Sequence, residues 1–201
     1  MMQAAQPALI LASQSQSRAA LLAAAGLRFE ARPARVDEAT ITQACRAEGA
    51  DTAETALALA GLKAQRIRDS DAVIIGADQI LVCGDDWFAK PRDLDAARAH
   101  LRALRGQWHT LITAIVCMRA GREVWRHVAE PRLHMRAFSD AFLDHYLAAE
   151  GDAILSCVGA YRLEGLGQQL FDDIQGEHTA ILGLPMPPLL GFLRQHGVLL
   201  A

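Results

Sequence analysis

The run Ala72-Val73-Ile74-Ile75-Gly76-Ala77 is uninterrupted by any polar side chain and then stops at Asp78. A strand with one face in solvent alternates apolar and polar residues. A continuous apolar run has no polar face to present, so it reads as a strand buried on both sides. Residues 8–12, Ala-Leu-Ile-Leu-Ala, read the same way and are far too short for a signal core or a membrane span. Helical segments separate such runs. One spans about 18–25, with Gly26 as its stop, and a second, rich in Ala and Leu, spans 53–68. Asp93 is a good N-cap for a helix over 94–104, and Ser139 for one reaching about 149. Residues 29–33 read as extended. Residues 79–83 read as a short strand that pairs across the turn at 84–86. Long strands are predicted over 111–119 and 123–135, a last strand over 180–182 and a last helix over 187–195. Early alternation of strand and helix with antiparallel strands in the middle predicts an α/β fold with a mixed sheet.

Composition narrows the function. The 201 residues fit one domain, read as residues 1–201 throughout, with no repeat, low-complexity stretch or linker. The chain is 52% hydrophobic and only 5% aromatic, so the core is built of Ala, Leu, Ile and Val. A net charge of −3 argues against a nucleic-acid polymer as partner, because phosphate backbones select strongly basic faces. A single nucleotide is not excluded. Cys45, Cys83, Cys117 and Cys157 are far apart with no CxxC pair, which reads as isolated reduced thiols of a cytoplasmic protein, and with no long apolar segment no membrane partner is expected.

Lys63 and Lys90 are the only lysines; every other basic side chain apart from histidine is arginine. A lysine is a compact point charge suited to a single phosphate oxygen. Lys63 precedes the apolar run, and Lys90 follows it in Lys90-Pro91-Arg92-Asp93. An acid ending a buried strand, with lysines nearby, points to a metal–phosphate site. The stretch Ser13-Gln14-Ser15-Gln16-Ser17-Arg18 joins a strand to a helix N-terminus, where free N–H groups and the helix dipole favour an anion. It has no glycine and no GK[ST], so it is not a Walker loop. Asp37-Glu38 is a second acidic pair. Together with Asp78 it could hold Mg²⁺, which binds through one or two carboxylates plus substrate phosphates. The glycine-dense stretch from Gly159 to Gly167 is not a dinucleotide fingerprint. The seven histidines contain no HxxxH or HExxH, and no GxSxG elbow occurs.

These pieces occur in an order that resembles the Maf family of nucleoside triphosphate pyrophosphatases over nearly the whole chain. In sequence they are Leu9-Ile10-Leu11-Ala12-Ser13-Gln14-Ser15 with Arg18, Leu21-Leu22, Gly26, Phe29-Glu30, Asp37-Glu38, Lys63-Ala64, Ile75-Gly76-Ala77-Asp78, Lys90-Pro91-Arg92-Asp93, Leu104-Arg105-Gly106 with His109, Gly159-Ala160-Tyr161, Glu164-Gly165, Gly167 and Gly183-Leu184-Pro185. The resemblance implies an elongated mixed sheet flanked by helices, with two lobes around a cleft, as in ITPase-like folds. It implies hydrolysis of a nucleoside triphosphate to the monophosphate and pyrophosphate with a divalent metal, Mg²⁺ or Mn²⁺. Asp78 matches the family's proton acceptor. Ser13, Ser15, Arg18, Lys63 and Lys90 match residues around the triphosphate, and Glu38 matches an acid near the metal. Relatives of this kind are often homodimers.

Two departures bear on the base. The family loop Ser-x-Ser-Pro-Arg-Arg has Gln16 and Ser17 here in place of Pro and the first Arg. Members acting on dTTP and UTP carry Thr after the catalytic acid and Gln in the tail loop, where this chain has Gln79 and Glu164. Those two residues resemble the 7-methyl-GTP subgroup, which has Trp where this chain has Ser17. The implied preference is guanine-like or broad, with removal of non-standard or modified nucleotides as the role. The alternative from another class is a nucleotide-binding regulatory protein linked to cell division, with little catalysis.

Overall fold

The computed structural model describes residues 2–200. In chain order the elements are β1 (Leu9–Leu11), α1 (Gln16–Ala24), β2 (Glu30–Ala31), α2 (Glu38–Ala47), α3 (Thr52–Gln65), β3 (Val73–Cys83), β4 (Asp86–Phe88), α4 (Leu94–Leu104), β5 (Trp108–Arg119), β6 (Arg122–Ala129), β7 (Arg132–Met135), α5 (Asp140–Glu150), β8 (Phe171–Gln175), α6 (His178–Ile181) and α7 (Met186–Gln195). Three short 3-10 turns lie between α5 and β8. The strands form one open mixed sheet in the order β2-β1-β3-β5-β7-β8, with β4 added to β3 and β6 to β5. Strand β1 runs parallel to both β2 and β3. Strands β6 and β7 run antiparallel to β5, and β8 to β7. The fold is the α/β arrangement with a mixed sheet that the sequence predicts.

The chain divides into two compact units. The first comprises residues up to Asp78, Thr113–Ala129 and the segment from His178 onward. Its core joins Leu9 and Leu11 of β1, Val73 and Ile75 of β3, and Ile115 and Cys117 of β5 to Leu189, Phe192 and Leu193 of α7. Trp125 of β6 stacks on Phe192 with ring centroids 5.0 Å apart. The second unit comprises Gln79–Ile112 and Glu130–Glu177. Its core contains Leu101 and Leu104 of α4, Leu133 and Met135 of β7, and Leu143 and Tyr146 of α5, all buried. Arg105, at the C-terminal end of α4, and Arg102 within it reach Asp140 of α5 at 2.8 and 3.1 Å.

Local chemistry explains the helix starts. Asp51 caps α3 in a full capping box with Glu54, Asp93 accepts from the backbone of Ala96, and Ser139 accepts from Phe142. Several boundaries differ from the sequence reading. Residues 79–83 are not a separate strand, since β3 continues through Asp78 to Cys83, so Asp78 lies within a strand and not at its end. The pairing across Gly84 does occur, with Leu81 opposite Phe88 and Cys83 opposite Asp86. The predicted strand 123–135 is two strands broken near Pro131, which has no N–H to donate to a ladder. Residues 180–182 do not form a strand: Ala180 and Ile181 end the one-turn helix α6. Helix α2 and strand β8 were not predicted. No helix among the described residues is long and apolar enough to cross a membrane.

Candidate active site

Glycine at position 76 decides how close α3 comes to β3. A Cβ built there would lie 2.0 Å from the carbonyl oxygen of Ala60 and 2.9 Å from the nitrogen of Ala64. No side chain fits, so the helix backbone rests directly on the strand. Side chains two apart on a strand share a face. Asp78 therefore points to the side on which α3 lies, and Lys63, next to Ala64, meets it. Lys63 Nζ donates to Asp78 Oδ1 at 2.5 Å and lies 2.7 Å from Glu38 Oε1. Lys63 and Asp78 are buried, whereas Glu38, the first residue of α2, is exposed. Asp37, its neighbour, caps α2 by accepting from Thr40. The acidic pair thus divides its work, with one residue starting a helix and the other reaching Lys63.

Arg18 enters from α1. Its Nε donates to the carbonyl of Gly183 at 2.8 Å, and its Nη1 donates to the carbonyl of Ala77 at 2.9 Å and to Ser13 Oγ at 3.2 Å. The guanidinium ties the β1–α1 loop to the strand residue just before Asp78 and to the chain after α6. Gly183 has φ +98°, and a Cβ there would meet Arg18 Nε at 3.2 Å, so the position suits glycine alone. Ser13 Oγ accepts from both Arg18 and the Ser15 backbone, so its own hydrogen is available to donate elsewhere. Ser15 caps α1 through the Arg18 backbone N–H. The predicted anion loop is therefore a true helix N-terminus, beginning at Gln16, with two hydroxyls and an arginine around it.

Electrostatics follow from burial. Desolvation pushes Asp78 above the ordinary carboxylate range, opposed by Lys63 and Arg18. Desolvation also lowers Arg18, with Asp78 and Glu38 acting against it. A buried acid raised in this way is a stronger proton acceptor when ionised. Asp78 and Glu38 converge on one cation, and two carboxylates plus substrate phosphates are what Mg²⁺ characteristically takes. The donor set fits a divalent metal that arrives with phosphate ligands. No group of three or more His, Cys, Asp or Glu residues among the described residues could cage one alone.

Of the sequence-predicted site residues, Ser13, Ser15, Arg18, Glu38, Lys63 and Asp78 come together in the first unit. Gln79, Lys90 and Glu164 belong to the second. Gln79 is half-buried on β3, while Lys90 and Glu164 are exposed. Lys90 and Glu164 share a neighbourhood there. Both act electrostatically on Cys157, whose thiol is pushed up mainly by burial, further by Glu164, and drawn down by Lys90. His109 and Tyr161, two further pieces of the sequence pattern, touch each other within the second unit's interior, with His109 Nε2 2.9 Å from the Tyr161 hydroxyl. Sequence reasoning missed the bonds from Arg18 to the backbone at Ala77 and Gly183, since carbonyl partners leave no trace in residue identity.

The model of the Maf-like protein family matches residues 8–196. A nucleoside triphosphate pyrophosphatase of Granulibacter bethesdensis is 56% identical over 193 residues, covering 95% of this chain and 98% of its own. One from Rhodospirillum rubrum is 48% identical and covers 100% of both chains. A 7-methyl-GTP pyrophosphatase of Rhizobium meliloti is 49% identical over 96% of this chain and 98% of its own. With the glycine-seated acid–lysine pair, the arginine-tied loop and a match spanning both units, the chain belongs to the Maf family.

Proposed function

We infer that the chain, acting as one domain of this family, is a nucleoside triphosphate pyrophosphatase that hydrolyses the α–β phosphoanhydride and releases the monophosphate and pyrophosphate. The observation that carries this reading is the buried Asp78, held by Lys63 beside a second carboxylate, with Arg18 tying the strand residue before it to a loop that opens a helix N-terminus suited to an anion. Relatives at 48–56% identity bear the same activity in their names. Asp78 takes the proton of the attacking water. Lys63 and Arg18 offset the negative charge that grows on the leaving pyrophosphate, and Lys90 is assigned a phosphate oxygen as a point charge. The Ser13 hydroxyl, Ser15 and the first N–H groups of α1 hold phosphate oxygens. Glu38 and Asp78 would hold a divalent cation, Mg²⁺ or Mn²⁺, which when bound supplies charge neutralisation across phosphate oxygens.

Base choice falls to Gln79 and Glu164. An ionised Glu164 only accepts hydrogen bonds, and a guanine edge presents adjacent N–H donors. Uracil and thymine place a carbonyl on either side of a single N–H. Ser17 provides no aromatic face for a cationic, methylated guanine. The preference is therefore guanine-like or broad, in keeping with removal of modified nucleotides. The test is release of pyrophosphate from GTP, 7-methyl-GTP, UTP and dTTP, with Mg²⁺, Mn²⁺ or EDTA, by the wild type and Glu164→Gln. Pyrophosphate and monophosphate should appear in equal amounts, metal removal should stop turnover, and Glu164→Gln should shift the kcat/KM ratio toward UTP. Release of orthophosphate, or no turnover of any triphosphate, would overturn the reaction. A wild type strongly selective for UTP or dTTP would overturn the role of Glu164.

A further inference from the structure

Lys63 sits where the metal is wanted. Its single nitrogen is 2.5 Å from Asp78 Oδ1 and 2.7 Å from Glu38 Oε1, so one ammonium pairs with both carboxylates assigned to the cation. Two like charges brought this close need a counter-charge, the more so with Asp78 buried. A dication taking both carboxylates would sit against the ammonium, a like-charge contact in a poorly screened environment. The two cations exclude each other.

We propose that Lys63 is a stand-in cation: it holds Asp78 and Glu38 together in the free protein, blocks the divalent metal from entering alone, and moves to the triphosphate when metal and nucleotide arrive together. This rests on the reading that these two carboxylates take the metal. The lysine suits the exchange. An ammonium has three rotatable hydrogens on a flexible four-carbon stem, whereas the fork of arginine is fixed. A triphosphate replaces the negative partners that the lysine gives up, and the metal replaces the lysine between the acids. Metal alone offers the lysine no new partner. Metal affinity is thereby coupled to nucleotide, and the coupling is reciprocal.

The composition makes this directly observable. With only Lys63 and Lys90 in the chain, lysine labelled with ¹³C and ¹⁵N gives two side-chain signals, assigned with Lys90→Ala. In the wild type, Mg²⁺ alone at millimolar concentration should leave the Lys63 signal in place. Mg²⁺ with the α,β-methylene analogue of GTP should shift it. A Lys63 signal unmoved at saturating metal and analogue overturns the proposal. A second measurement needs no nucleotide: Mn²⁺ binding followed by electron paramagnetic resonance, in the wild type and Lys63→Met. Lys63→Met should bind Mn²⁺ at least tenfold more tightly. Equal or weaker binding by folded Lys63→Met overturns the proposal, and if that variant does not fold, the wild-type signals decide. Failure of the functional reading is separate. A wild type that releases no pyrophosphate from any triphosphate, while Lys63→Met still gains Mn²⁺ affinity, refutes the activity and leaves the stand-in intact.

Discussion

Asp78 carries two duties that a substitution can separate. It is a structural partner for Lys63 and, in the proposed mechanism, the proton acceptor. Asp78→Asn keeps the shape and can still accept a hydrogen bond from Lys63, while Glu38 remains as its ionic partner. Its kcat should fall roughly 10²–10⁴-fold, as expected for loss of one acid–base group, with a thermal midpoint near that of the wild type. A folded variant with near-normal kcat would remove Asp78 from the role. Lys90 is exposed, so its substitution should leave stability unchanged. Lys90→Ala should lower kcat/KM, and Lys90→Arg should restore only part of it, because a planar fork does not reproduce a point charge on one oxygen. Full recovery with arginine would mark Lys90 as a solvated bystander. Arg18 differs from both lysines. Three of its donors are committed to protein oxygens, so it fixes the loop as well as lending charge.

At the level of elements, the α3–β3 contact governs the site. Gly76→Ala would force its Cβ into the backbone of α3, where no side chain can turn away. Overpacking of this kind typically costs about 1–3 kcal/mol. Because Lys63 lies on the displaced helix, kcat should fall even at temperatures where urea titration shows the variant fully folded. Loss of stability with unchanged kcat would show that α3 can retreat without parting Lys63 from Asp78. This contact was only half legible in the sequence. The apolar run, the capping residues Asp93 and Ser139, and the two lysines could all be read from residue type, because each acts locally. Helix α2 was missed: it buries no residue, and its Thr and Ile content is a weak helical signal, so Asp37 as a cap was its one clear mark. Strand β8 was missed because Phe171-Asp172-Asp173-Ile174-Gln175 is an exposed edge whose acids resemble a loop. Residues 180–182 were misread because three apolar residues serve a strand or a buried helical turn equally well. The meeting of Glu38 with Lys63 lay beyond reach, since a long-range pairing has no local spacing to betray it.

Across the whole molecule, the sensitivity to acid has a source far in sequence from the acid–lysine pair. His109 is buried, and burial holds its pKa down at about 4 against an ordinary 6.5. The unfolded chain therefore binds a proton between these values that the folded chain refuses, so stability is lost as pH falls through that window. Between pH 7 and pH 5 the loss from this one group is about 2 kcal/mol. His109→Gln can keep a hydrogen bond to Tyr161 but cannot titrate, so urea denaturation of the variant should show a correspondingly smaller drop from pH 7 to pH 5. An unchanged drop would assign the acid sensitivity to other groups. Strand β3 has a different consequence at this scale. Asp78 and Gln79 are consecutive residues of one uninterrupted strand, the last of the first unit and the first of the second. Successive strand residues face opposite ways, and inserting or deleting a single residue exchanges the two faces. No slack lies between these positions to absorb a change in length. Laboratory evolution of selectivity at position 79 must therefore proceed by substitution, since an insertion or deletion there would exchange the faces of β3.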